Sequence, residues 1–209
     1  MDILILCFEI IGTVAFAISG AMTAIRKDMD LLGVMILSFT TALGGGVIRD
    51  VLLGITPPTT FTNPVYAVIA IITSILVFLP LSDRILKNPR INFDMILLIM
   101  DAIGLGIFTV LGVCVAYNQN SSYSIFLLIF LGVMTGVGGG VLRDVFTCSL
   151  PYIFVRHFYA SASIIGALVC SVLLKVTEEY VAMICGALVI IVLRLCAAHF
   201  HWKLPKHKN

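Results

Sequence analysis

The segment Gly44-Gly45-Gly46-Val47-Ile48-Arg49-Asp50 returns as Gly138-Gly139-Gly140-Val141-Leu142-Arg143-Asp144, 94 residues later. Both copies lie inside apolar runs suited to a bilayer. Glycine weakens a helix interior, and an Arg-Asp dipeptide is costly in hydrocarbon. Neither belongs in a purely structural membrane helix. Their joint repetition predicts a duplicated device that handles something polar.

Composition sets the surroundings of that device. The chain is 60% hydrophobic and 11% charged, whereas soluble domains average about 25% charged residues. Apolar spans at 2–25, 31–55, 64–82, 93–117, 123–150, 153–175 and 180–201 are each near the ~20 residues that cross a bilayer. The first span lacks a basic leader, carries Glu9 and ends in Arg26-Lys27, so it is expected to be a helix rather than a signal peptide. If the seven spans alternate in direction, one side collects Arg26, Lys27, Arg84, Lys87, Arg90, Arg156, Lys203, Lys206 and Lys208, and the other only Lys175. The positive-inside rule then places the amino terminus outside and the carboxyl terminus inside. Six cysteines without a CxxC pair read as helix-contact fillers.

The duplication runs beyond the glycine motif. Glu9-Ile10-Ile11-Gly12 aligns with Asp101-Ala102-Ile103-Gly104, and Phe16, Gly20 and Ala24 match Phe108, Gly112 and Ala116. Pro57 matches Pro151, and Tyr66-Ala67 matches Tyr159-Ala160. Each unit therefore holds three helices. Because three is odd, tandem copies cross in opposite senses, the inverted-repeat plan of many transport proteins. The expected organisation is a first three-helix repeat over 1–82, a cytoplasmic linker over 83–92 and a second, inverted repeat over 93–175. A seventh helix over 176–201, packed outside the symmetric core, and a basic tail over 202–209 complete the chain. The fold class is an all-α membrane protein.

Depth follows from the ~1.5 Å rise per helical residue. Arg49 and Glu9 lie at similar depth, on the order of 9 Å below the outer boundary, and Arg143 and Asp101 lie equivalently in the inner layer. A Glu9–Arg49 contact and an Asp101–Arg143 contact are expected. Adjacent helical residues point about 100° apart, so Asp50 and Asp144 are expected to be left to water. Alternatively, these charges only fasten helices together, although each costs at least ~2.5–3.5 kcal/mol in mid-membrane. The triplets also have two readings. They allow either a tight helix contact or, as favoured, a bend that turns carbonyls toward a wet cavity. Span five, 28 residues and about 42 Å if straight, is expected to kink or tilt.

Catalysis finds little support. The triplets lack the Gly-Lys-Ser/Thr ending of a nucleotide loop. His157, His199, His201 and His207 lie at a helix start or at the end of the chain, away from any core Ser or Cys. The tail from Trp202 to Lys208 reads as an interfacial anchor. The expectation is no enzyme, no cofactor, no bound metal and no nucleic-acid partner.

Two three-helix units, each with Gly-Gly-Gly-x-x-Arg-Asp on its middle helix, plus a seventh helix, resemble the bacterial members of the trimeric intracellular cation (TRIC) channel family. The motif also marks related small bacterial membrane proteins described as glycine transporters. The resemblance implies a homotrimer in a prokaryotic plasma (inner) membrane, with one pore per protomer that conducts K⁺ or Na⁺. It places Gly44, Gly45, Gly46, Gly138, Gly139 and Gly140 at pore-lining bends, with Arg49, Asp50, Arg143 and Asp144 close by. On that reading Ser38, Thr40, Thr41 and Thr135 would solvate ions, and Asp50 and Asp144 would favour cations at the entrances. Arg49 and Arg143, paired with Glu9 and Asp101, would latch the pore. A glycine or small-solute transporter working by alternating access is the competing reading. A membrane scaffold is the third.

Overall fold

Three side chains start three of the long helices by accepting an otherwise orphaned amide hydrogen. Asp30 accepts from Gly33 N at 2.8 Å, Asn92 from Met95 N at 3.2 Å and Ser124 from Leu127 N at 3.3 Å. The computed structural model describes residues 3–79, 92–155, 158–200 and 202, and every regular element among them is helical. In chain order these are α1 (Ile3–Ile25), α2 (Leu31–Leu52), α3 (Thr59–Thr62), α4 (Val65–Phe78), α5 (Phe93–Gln119), α6 (Ile125–Phe146), α7 (Tyr152–Val155), α8 (Tyr159–Leu173) and α9 (Glu179–His199). The linker expected at 83–92 lies, but for Asn92, outside the described residues, as do Arg156, His157, His201 and the tail beyond Trp202.

Five helices (α1, α2, α5, α6 and α9) are long and apolar enough to cross a membrane. The third and sixth expected spans give shorter apolar helices, α4 with 14 residues and α8 with 15, roughly 21 and 22 Å long. The shortfall at α8 has a local cause. Residues assigned to its start form α7 instead, and Phe158 breaks the chain with a left-handed φ of 61°. Span five is also shorter than expected. α6 has 22 residues, about 33 Å, and closes at Thr147, after which Cys148 turns left-handed at φ 50°. No excess length is left to demand a kink.

Polar contacts at the helix ends show that α1 and α9 run opposite to α2 and α5. At one end Arg26, just past α1, pairs with Asp94 at 2.7 Å and lies 4.1 Å over the Phe93 ring. At the other, Gln119 donates to the Leu53 carbonyl and Asn118 donates to Glu179. α9 packs on α5 and α8.

The centre of the fold joins repeat mates to one another. Phe16 stacks on its mate Phe108 with ring centroids 5.3 Å apart. α2 crosses α6 at the middle glycines, where an added Cβ on Gly45 would collide with the Thr135 carbonyl oxygen and one on Gly139 with the Thr41 carbonyl oxygen. Thr41 and Thr135 are themselves mates, so the contact is reciprocal. Removing side chains here lets two backbones touch, as small residues do in membrane bundles. The helices stay unbroken through both triplets. The turned-out carbonyls expected at a bend are therefore not seen at the crossing, because each backbone is covered by the other.

Candidate functional site

Two polar clusters lie on either side of this crossing, each built from one copy of the motif. In the first, Arg49 Nε donates to Asp50 Oδ1 at 2.8 Å, with Nη2 at 2.7 Å from the same oxygen. Asp50 Oδ2 accepts from Thr59 N at 2.8 Å and Thr59 Oγ1 at 2.6 Å. The second cluster repeats the pattern. Arg143 Nε donates to Asp144 Oδ1, and Tyr152 N donates to Asp144 Oδ2, both at 2.9 Å. Each aspartate thus clasps the end of its long helix to the start of the short helix that follows, a position where a carboxylate suits the exposed amides.

This overturns the expectation that Asp50 and Asp144 stand free toward water. Both are buried, and both take the neighbouring guanidinium. The 100° rule fixes where Cβ points, but the arginine stem is long enough to curl its planar donor fork back to a carboxylate one residue away. The amide and hydroxyl donors of the following turn hold that carboxylate in place.

The expected acid–base contacts split. Arg143 Nη1 lies 2.7 Å from Asp101 Oδ1 and 2.5 Å from Ser19 Oγ. Glu9 instead accepts a hydrogen bond from Tyr66 Oη, and no ion pair within 4.0 Å joins it to Arg49 among the described residues. Both Glu9 and Arg49 line one cavity of about 330 Å³, together with Thr13, Gly46, Thr60 and Tyr66. Its rim residues Thr59, Thr62 and Asn63 are exposed. Gly46 faces open space, the nearest atom to an added Cβ being Arg49 Nη2 at 3.9 Å.

The equivalent space in the second cluster is filled. Tyr159, the mate of Tyr66, lies with its hydroxyl 2.8 Å from where a Gly140 Cβ would be. Ser19 has Leu111 as its mate, which lines the cavity of the first cluster without a hydroxyl. Arg194 of α9 also enters the second cluster, with Nη2 3.8 Å from Asp101 Oδ2 and the guanidinium 4.6 Å over the Tyr159 ring. It is 3% exposed. The sequence reading missed Arg194, although a lone arginine deep in an apolar span was a visible signal.

The sequence profile of the family described as "Glycine transporter" matches residues 6–81 and 98–175, one segment on each repeat. The chain belongs to this family. The UPF0126 inner membrane protein YadS of Escherichia coli K12 is 37% identical over 205 residues, covering 97% of this chain and 95% of its own. A solved structure described as the basis for conductance through TRIC cation channels is 42% identical, covers 97% of each chain and has a TM-score of 0.84. A prokaryotic TRIC channel crystallised in 0.5 M KCl is 29% identical over 98% of this chain and 100% of its own, with a TM-score of 0.88. This glycine transporter family member is thus a multi-pass membrane protein with the fold of TRIC channels, and those structural neighbours are ion channels rather than enzymes.

Within this member of the glycine transporter family, three of the hydroxyls singled out beside the triplets bond back to their own helix. Thr40, Thr41 and Thr135 donate to carbonyls four residues earlier, at 2.8, 2.6 and 2.6 Å. Ser38 Oγ is buried without a partner among the described residues.

Proposed function

We propose that the protein is a passive channel for monovalent cations, K⁺ or Na⁺, with its path running between α2 and α6. The observation that carries this is the cavity of about 330 Å³ that holds Glu9 and Arg49 and reaches Gly46, next to the Gly45–Gly139 crossing, in a chain 42% identical to a structure of TRIC cation channels. In the present conformation the path is closed at that crossing, and conduction requires α2 and α6 to part there. Arg49 and Arg143 flank the two ends, and their release from the clasps would accompany opening. Permeant cations are the only cofactors this reading needs.

The reciprocal Gly45–Gly139 and Phe16–Phe108 contacts support two inverted three-helix repeats over 1–82 and 93–175, with α9 as the seventh crossing. On this plan the amino terminus faces out, the carboxyl terminus faces in, and the cavity opens outward. The neighbour described as a trimeric intracellular cation channel orthologue supports a homotrimer, in which each protomer would carry its own pore, and YadS, named an inner membrane protein, supports the same location here. The test is reconstitution in a planar bilayer under a KCl gradient. Discrete currents that reverse near the K⁺ potential are expected. Their absence at all voltages, or reversal at the Cl⁻ potential, overturns the reading.

A glycine transporter is the second reading, favoured by the family's description and by the opposite charges of Glu9 and Arg49 in one small cavity. Saturable uptake of labelled glycine without unitary currents would decide for it.

A further inference from the structure

The two clusters share a blueprint but not a charge balance. The second sets the carboxylates of Asp101 and Asp144 against the guanidinium groups of Arg143 and Arg194. Among the described residues, the first sets Glu9 and Asp50 against Arg49, and Glu9 and Arg49 are the charged residues lining its cavity. Arg49 is committed to Asp50, so Glu9 has no cationic partner among the described residues. α9 has no sequence counterpart in the first repeat that would deliver one.

Arg194 shows what kind of group completes such a cluster. It places its positive charge against Asp101 and over the Tyr159 ring. The repeat mates of those two residues are Glu9 and Tyr66, which line the open cavity. We infer that the Glu9–Tyr66 cavity is a binding site for one dehydrated or partly hydrated monovalent cation, and that Arg194 is the tethered equivalent of that cation in the other repeat. The Glu9 carboxylate supplies the negative charge, and the Thr13 and Thr60 hydroxyls on the cavity wall are oxygen donors of the kind alkali cations prefer. Arg49, which also lines the cavity, holds the net charge low, so that the ion is held weakly enough to leave. The inference deepens the channel reading by naming where a permeant ion first rests.

The test uses the full-length protein crystallised in RbCl, with Rb⁺ located by anomalous scattering, for wild type, Glu9→Gln, Arg194→Gln and Arg194→Lys. Wild type should show Rb⁺ at Glu9, and Glu9→Gln should lose that peak entirely. Arg194→Gln should gain a second Rb⁺ beside Asp101, and Arg194→Lys, which keeps the tethered charge, should not. No Rb⁺ at Glu9, a peak unchanged by Glu9→Gln, or no ion at Asp101 in well-ordered Arg194→Gln crystals would each overturn the inference. Should Arg194→Gln not fold, the wild-type and Glu9→Gln arms decide. Bilayer currents with no Rb⁺ at Glu9 remove the site and leave the channel, whereas Rb⁺ at Glu9 without currents does the reverse.

Discussion

Alanine at the second and third positions of the first glycine triplet should separate two roles one helical residue apart. At Gly45 the added methyl meets the Thr135 carbonyl, a backbone atom that cannot rotate away. α2 and α6 must then part by on the order of 1 Å to restore normal contact distance. Overpacking of this kind costs about 1–3 kcal/mol, against a gain of ~1 kcal/mol from replacing glycine by alanine in a helix. With backbone on the far side the cost falls toward its upper end, so Gly45→Ala should destabilise by about 1–2 kcal/mol net. At Gly46 the methyl enters the cavity and touches only Arg49 Nη2 at 3.9 Å, leaving the helix gain of ~1 kcal/mol unopposed. Equilibrium unfolding in mixed micelles reads the difference, and at about 2–4 °C per kcal/mol a melting scan resolves the pair. The double variant Gly45→Ala/Gly139→Ala should be less damaging than the sum, because both methyls wedge the same crossing. Equal midpoints for Gly45→Ala and Gly46→Ala would refute the close crossing.

Two further perturbations test other parts of the frame. Asp101→Asn strips the buried Arg143, whose side chain is 1% exposed, of a close counter-ion and should cost about 3–5 kcal/mol. Glu9→Gln, which breaks no ion pair among the described residues, should stay within about 1 kcal/mol in the same unfolding assay; similar losses for both would contradict the difference between the clusters. Gly54 and Cys148 are repeat mates that end α2 and α6 at φ 72° and 50°. Cys148→Gly should stabilise by up to about 1 kcal/mol by relieving the left-handed strain, and Gly54→Ala should cost about as much. A melting scan showing the opposite signs would mean that the two turns are not equivalent.

What the sequence could convey depended on whether an interaction is local or paired. The apolar spans starting at 31 and 93 match the starts of α2 and α5, where Asp30 and Asn92 cap within three residues of themselves, whereas α6 starts two residues after its span, past the cap Ser124. The Asp101–Arg143 contact was legible because depth in a helix scales with residue number, which brought acid and base to one level. The same argument failed for Glu9 and Arg49, since depth says nothing about competitors. Tyr66 holds the acid and Asp50 the base. The arginine–aspartate clasps were missed because helical spacing constrains Cβ directions and not the reach of a guanidinium. The triplets announced missing side chains without saying whether water or another backbone fills the space. At Gly45 it is backbone, and at Gly46 a cavity. Arg194 lay in the span without a repeat mate, where comparing the two copies could not find it.

The unequal filling of the two clusters bears on how such a duplicated frame could open. Equivalent halves built from one blueprint should be equally accessible, yet one holds a cavity and the other a buried network. Three differences between the halves account for this. Ser19 gives Arg143 a hydroxyl partner where Leu111 gives Arg49 none, Asp101 reaches Arg143 where Glu9 turns to Tyr66, and Arg194 adds a cation only to the second half. A path of the kind proposed above would therefore have to be unblocked at the second cluster as well as at the glycine crossing. Arg143 is held by α1, α5 and its own α6 through Ser19, Asp101 and Asp144, so α6 cannot move at Gly139 without disturbing that network. Leaving either guanidinium dry and unpaired would cost several kcal/mol. On the channel reading, water would therefore have to reach Arg143 and Arg194 in the same step that separates Gly45 from Gly139, making hydration of the second cluster and parting of the helices one event rather than two.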